Sequence, residues 1–244
     1  IYIKADPVNI NLDPMESSQA VAGFNYFPVD DIRISLEGYY KQYDKYPVRV
    51  EYPTLTLANK GDDFGAGGLL FPMVSKGTGT SYGLELYVQK KLTESLYGQI
   101  SYSYAKTEHK ALDGVDRSAS FDIPHILTIV GGYKTGDWEF STKFAYSAGR
   151  PYTPFNMAVS EAQNRGVLDI SNINSSRTPA YQRLDIRVDR RFNFEGWSMI
   201  FFAEFLNVYN HKNIQQYIWN PKTKRPASID QYSFLPNIGF NIKF

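Results

Sequence analysis

Few residues in this chain of 244 have the type and spacing that reaction chemistry demands. The histidines are His109, His125 and His211, far apart and without an HExxH or other close ligand pair, so they read as ordinary strand or loop residues and not as metal ligands. Cysteine is absent, which excludes both a disulfide framework and a thiolate zinc site. No G-x-S-x-G elbow occurs. "GDDFGAGG" and "SKGTGTSYG" are glycine-rich, but neither leads from a strand into a helix or ends in Gly-Lys-Ser/Thr, so both read as flexible loop. Asp62 and Asp63 are two adjacent acids, too few for a Ca²⁺ site. No catalytic residue, metal or cofactor is expected.

Two stretches suit binding instead. "GRPYTP" supplies Arg150 and Tyr152, and "QQYIWNPKTKR" supplies Tyr217 and Trp219 followed by Lys222, Lys224 and Arg225. Such mixtures of ring and cation suit anionic chelates or sugars. The plainer reading is that the prolines shape a loop exit and the bases meet lipopolysaccharide phosphates. Both remain open. The balance of 26 Lys and Arg against 25 Asp and Glu, a formal charge of +1, gives no general affinity for nucleic acid.

A third stretch, "RLDIRVDRR", carries Arg183, Asp185, Arg187, Asp189 and Arg191 on one parity and Leu184, Ile186 and Val188 on the other. A period of two is that of a β-strand with chemically different faces. Neighbouring charges on such a face sit ~7 Å apart and compensate one another in part. Arg190 breaks the pattern on the apolar parity, near one end of the strand.

What must position these residues is a series of long strands. Alternation and turn signals mark nine segments, at 18–27, 31–43, 79–91, 95–107, 121–133, 137–149, 181–194, 197–209 and 234–244, with no convincing helix between them. Most reach the ~9–11 residues that a tilted membrane strand needs. Their connections alternate: "PVDD", "KLTES", "KTGD" and "EGW" are short, whereas 44–78, 108–120, 150–180 and 210–233 are long. Outer-membrane barrels have this asymmetry, with short periplasmic turns and long extracellular loops.

That orientation puts Tyr26, Tyr133, Trp138 and Trp197 near the short turns and Tyr40, Tyr82, Tyr102, Tyr104 and Tyr146 near the long loops, all on the apolar parity. Leu36, Leu84, Leu86, Ile100, Leu127, Ile129, Phe140 and Phe144 lie between these girdles. The opposite parity carries Arg33, Glu37, Lys41, Glu85, Gln89, Gln99, Glu139 and Lys143, suited to a lumen. Glu204 marks the lumenal face of "WSMIFFAEFLNVY", where both parities are apolar.

The fold class expected is all-β: an antiparallel transmembrane β-barrel, residues 1–244 forming a partial barrel domain. Single-chain bacterial barrels use an even strand count, and an open sheet in lipid exposes two costly edges. The nine strands should therefore be the carboxy-terminal part of a larger barrel, or pair with a second chain. The amino terminus shows no signal peptide, so either one was removed or the chain is not the true start of the gene product. A soluble β-rich binding module would explain the alternation alone, without the loop asymmetry and the girdles.

The last strand, "NIGFNIKF", ends on Phe244 with Ile238, Phe240 and Ile242 on the lipid parity. A terminal aromatic there is similar to the assembly signal of outer-membrane proteins. "NINLDPMESSQAVAGFNY", "ISLEGYYKQYDKYP", "GTSYGLELYVQKKL", "FDIPHILTIVGGY", "SAGRPYTP", "TPAYQRLDIRVDRRF" and "FAEFLNVYNHKNI" resemble, in order, segments of the barrel of TonB-dependent outer-membrane receptors of Bacteroidota type, although Met15 interrupts the usual Pro-Glu pair. The resemblance implies a 22-stranded barrel in the bacterial outer membrane around an amino-terminal plug, of which these would be strands 14 to 22. It implies import of a scarce nutrient, with the plug and strands 1–13 of the same receptor, the TonB complex, outer-membrane lipid and lipopolysaccharide, and a surface lipoprotein as partners. Glu85 and the charges of "RLDIRVDRR" would then face the plug. The alternative within this reading is a non-transporting barrel that serves as scaffold in an outer-membrane complex.

Overall fold

The computed structural model describes residues 9–59 and 71–244. Nine long strands follow one another in a single antiparallel sheet, each paired with its neighbours in sequence: β1 (Glu16–Val29), β2 (Ile32–Arg49), β3 (Met73–Thr93), β4 (Leu96–Lys110), β5 (His125–Thr135), β6 (Trp138–Ser147), β7 (Tyr181–Phe194), β8 (Trp197–Leu206) and β9 (Leu235–Lys243). The sheet is not closed: β1 and β9 are its edges. All nine expected strands are present, and one end of the sheet is closed by the two-residue turns Asp30–Asp31, Glu94–Ser95, Gly136–Asp137 and Glu195–Gly196. Gly136 and Gly196 have φ of 55° and 80°, the left-handed values that tight hairpins require and that glycine adopts without penalty.

The register shows two continuous faces, because directly opposed residues of an antiparallel pair share a side. One row runs Tyr26, Ile34, Val88, Ile100, Ile129, Phe144 and Leu184 across seven strands. Its neighbours are large, apolar and open to the surroundings: Leu84 is 55% exposed, Ile238 65% and Phe240 65%. The other face carries the row Arg33, Gln89, Gln99, Val130, Lys143 and Asp185. An outward apolar band backed by a polar face is what lipid on one side and a wet or protein-filled lumen on the other select. In β8, Glu204 stands opposite Arg187, so the lumenal parity of this doubly apolar strand is Ile200, Phe202 and Glu204. Arg190 faces Trp138, the first residue of β6, at the level of the lower aromatic girdle, with its guanidinium 5.0 Å from the Trp138 ring and 4.8 Å from that of Phe192.

Two expectations are corrected. "SKGTGTSYG" is not loop: all of it lies in β3, which with 21 residues is the longest strand described, while "GDDFGAGG" with Asp62 and Asp63 falls outside the described residues. Strands β2, β3 and β4 rise well above the length a bilayer needs, so part of the expected 44–78 loop is tall sheet. The glycines on the lumenal parity there seat aromatic rings: His109 lies directly opposite Gly79, and Tyr39 opposite Gly83 with its hydroxyl 2.7 Å from where a Cβ would be. The second correction is a short helix in the 150–180 connection, α1 (Met157–Gln163), capped by the Asn156 side chain and ended by Asn164 in the left-handed conformation. The charges of β7 compensate one another by direct contact. Arg183 bonds Asp185 at 2.8 Å and Arg187 bonds Asp189 at 2.6 Å, since the long guanidinium arms fold along the strand.

Candidate functional site

The long connections meet at the extracellular rim, and the residues that join them are mostly not those singled out from sequence. Asp122, 2% exposed, binds the Arg177 guanidinium and also accepts the Thr107 amide at 2.8 Å. Arg177 donates further to the carbonyls of Asp122 and Gly149, at 2.6 and 3.0 Å. Gly149 has no alternative, because a Cβ there would lie 1.7 Å from the Thr178 carbonyl oxygen. The close approach lets Thr178 and Arg150 exchange hydrogen bonds at 3.0 Å and starts the small ladder Pro151–Tyr152 with Ser176–Arg177. Asn174 bonds the Ser118 carbonyl at 2.8 Å, completing the union of the 111–124 and 148–180 connections. Sequence offered no signal for this staple: Asp122 and Arg177 are 55 positions apart.

The 207–234 connection is held by three asparagines. Buried Asn207 donates its amide to Asp185 at 3.0 Å and exchanges bonds with the backbone of His211, both at 2.9 Å. Asn213 presents its side-chain amide to both backbone groups of Gln182 at 2.9 Å, standing in for a further strand residue. Asn210 accepts the Phe234 amide at 3.0 Å. From this base rises a separate hairpin, Ile214–Asn220 paired with Arg225–Asp230.

The hairpin docks on the 148–180 connection through two ring pairs, Tyr152 with Tyr217 at 4.9 Å and Phe155 with Trp219 at 5.9 Å. A cavity of about 260 Å³ lies at this junction, lined by Arg150, Tyr152, Thr178, Gln215, Gln216 and Tyr217 among others. A second, of about 270 Å³, shares Arg150, Thr178, Gln215 and Gln216 and continues past Ser147 and Tyr181. Tyr181 has the parity of Arg183, so this second cavity lies on the lumenal side. Three of the four residues expected to bind are thus brought together. Trp219 is not among the lining residues: it packs on Phe155 over Gly166, and its indole nitrogen is buried without an acceptor among the described residues. Burial and the neighbouring Tyr152 raise the Tyr217 phenol above its usual pKa, which keeps it a neutral hydroxyl.

Deeper in the lumen, Glu37 and Glu85 stand directly opposite each other on β2 and β3, both exposed, and neither has an ion-pair partner among the described residues. Arg187 covers the Phe202 ring at 4.0 Å, and Phe202 lies over Gly239, its partner in β9. No group of acidic or histidine side chains placed to hold a metal occurs among the described residues.

A two-faced antiparallel sheet with an exposed apolar band, tight turns at one end and built-up loops at the other defines a segment of an outer-membrane β-barrel. The chain belongs to the TonB-dependent receptor family: residues 3–210 match the model described as TonB dependent receptor-like, beta-barrel, a domain of the bacterial outer membrane. Its fold is similar to that of the ferric-catecholate import receptor Fiu of E. coli K12 (14% identity, TM-score 0.64, 95% of this chain and 28% of that one). It is similar also to P. aeruginosa FpvA, a structure with bound ferric pyoverdine (12%, 0.63, 95% and 27%), and to the copper transporter OprC (12%, 0.61, 98% and 33%). The chain therefore spans about a third or less of the length of these proteins. A comparison with curated protein sequences finds no match.

Proposed function

We propose that this chain forms the carboxy-terminal wall of a TonB-dependent outer-membrane transporter, strands 14 to 22 of a 22-stranded barrel, which imports a scarce nutrient. The observation that carries this reading is the lumenal pair Glu37 and Glu85. Like charges directly opposed across two strands destabilise a sheet unless something else compensates them. A plug inside the barrel that offers Lys or Arg at this level supplies the compensation. The ion-paired Arg183, Asp185, Arg187 and Asp189, with Arg191 below them, line the same wall. They present a hydrogen-bonding surface that a plug can grip and release without leaving a bare charge.

In this reading the rim cavity with Arg150, Tyr152 and Tyr217 is the first contact of the nutrient, and Trp219 holds the hairpin wall through Phe155. Transport through the plug draws energy from the TonB complex of the inner membrane, which contacts parts of the receptor beyond this chain. The open edges β1 and β9 are closed by the remaining strands of the same barrel, and the apolar face is covered by outer-membrane lipid and lipopolysaccharide. The test is uptake by cells expressing the full receptor. Deletion of the cognate TonB protein should abolish accumulation of the nutrient, and accumulation at the wild-type rate would refute the proposal.

A further inference from the structure

The two rim cavities have a chemical character that narrows what they accept. Arg150 is the one charged side chain lining either of them, and no carboxylate faces them among the described residues. Neither a metal ion nor a polyanion finds a concentrated counter-charge there. The remaining groups are neutral and bifunctional. The side-chain amides of Gln215 and Gln216 and the hydroxyls of Tyr152 and Tyr217 can each donate and accept, and they have no hydrogen-bond partner among the described residues. A bulge in the hairpin between Ile214 and Gln216 places the two glutamines side by side on the wall common to both cavities. The Asp122–Arg177 staple and the asparagine base are saturated by their own bonds, so the frame is fixed while these amides and hydroxyls remain open to a ligand.

Beside the glutamines, the Tyr152 and Tyr217 rings pack on each other at an inclination of 42°, and both, half-buried, line the first cavity, giving it an apolar edge and not a flat slot. A puckered ring with C–H groups on one side and hydroxyls around its rim satisfies both features at once. Its apolar face meets the tyrosines, and its hydroxyls, each donor and acceptor, pair with amides that are donor and acceptor too. The run of two adjoining cavities from the hairpin junction to the lumenal side at Tyr181 suits several such rings in line.

Resting on the reading of these cavities as the nutrient's first contact, we propose that they bind a neutral oligosaccharide. Gln215 and Gln216 hydrogen-bond its hydroxyls, and the Tyr152–Tyr217 pair meets the apolar face of a sugar ring.

The full receptor in detergent tests this by isothermal titration against cellotetraose, maltotetraose, xylotetraose and mannotetraose, with tetra-alanine and a ferric tricatecholate as the competing chemistries. At least one tetrasaccharide should bind. Gln216→Ala should weaken it about 3- to 10-fold, the cost of one neutral hydrogen bond, and Tyr217→Ala more, whereas Tyr217→Phe, which keeps the ring, should lose only the hydroxyl's share. Both positions lie on a hairpin outside the main sheet, and an unchanged heat-induced mobility shift on gels shows that each variant's barrel is intact. If instead the peptide or the ferric complex binds and Tyr217→Ala weakens it, the cavity remains the nutrient's site and the sugar assignment falls. Sugar binding indifferent to both positions would overturn the placement in this cavity. Absence of any binding that depends on these residues would overturn both the assignment and the reading beneath it.

Discussion

Tyr97 lies across Gly132, its direct partner on β5, and its hydroxyl donates to Glu139 of β6 at 2.6 Å. One residue thus joins three strands on the lumenal face, and it can do so only because Gly132 has no side chain. A Cβ at that position would lie 2.1 Å from the tyrosine ring.

Gly132→Ala should therefore expel the ring and break its bond to Glu139, at a cost of about 1–3 kcal/mol, the usual range for overfilling a packed site. Gly131, with open space where its Cβ would be, is the control, and Gly131→Ala should cost well under that. Urea unfolding of the full barrel in lipid vesicles measures both, and equal losses at the two positions would contradict the contact.

Removal of Asp122 should loosen the extracellular rim without unfolding the sheet. Breaking a fully buried pair costs about 3–5 kcal/mol, but Arg177 is partly open to water, so Asp122→Ala should cost nearer ~1–3 kcal/mol. Limited proteolysis should then cut within 111–124 or 150–180 at protease levels that leave the wild type whole. An unchanged digestion pattern would show that the staple is dispensable.

Register sets which positions on the lipid face tolerate charge. Arg190 sits at the girdle beside Trp138, where a cation stacks on the ring and reaches the headgroups. Ile186, opposite Thr142 and Phe205, lies further toward the middle of the apolar band. Ile186→Arg should cost about 2–4 kcal/mol if the residue is near the midplane, and Arg190→Leu close to nothing. The same unfolding assay decides, and a costless Ile186→Arg would mean that β7 is displaced relative to the bilayer.

Asp31, in the turn between β1 and β2, is bonded by the Lys90 ammonium and by the Thr93 hydroxyl, the latter at 2.8 Å. The lysine foremost, then the threonine, holds its carboxyl below the usual carboxylate range. A depressed folded-state pKa means that the stabilisation is present above the unfolded value, about 3.9, and is lost as pH falls through the lower folded value. Carboxyl carbon NMR should show Asp31 titrating below an unpaired aspartate, and Lys90→Met should raise it toward the ordinary value, with the Thr93 hydroxyl still holding part of the shift. A normal midpoint in the wild type would argue against the network.

Phe244 follows the last residue of β9 and is 99% exposed, with Ile238, Phe240 and Ile242 leading to it on the lipid face. We propose that it is read during assembly and adds little to the folded barrel. Phe244→Ala should lower the amount of receptor in the outer membrane several-fold while leaving refolding into vesicles unchanged. A parallel loss in both assays would assign it a folding role instead.

Much of this architecture was legible in one dimension because its causes are local. The alternation Arg183, Leu184, Asp185, Ile186 exists because each strand meets lipid and lumen in turn, and short turns such as Gly136–Asp137 announce themselves by glycine and length. The tall β3 was not legible: Gly79 and Gly83 look like loop punctuation until the rings of His109 and Tyr39, brought from β4 and β2, occupy the space their missing side chains leave. Nor could the rim be read. Arg150, Tyr152 and Tyr217 are recognisable as binding types, but whether they meet depends on Asp122 finding Arg177 across 55 positions and on Asn213 imitating a strand beside Gln182. Sequence determined which face of each strand meets lipid, since that follows from a residue's own chemistry and its parity. Tertiary structure alone decided which loops touch and what cavity they enclose, since those contacts join residues with no periodic relation along the chain.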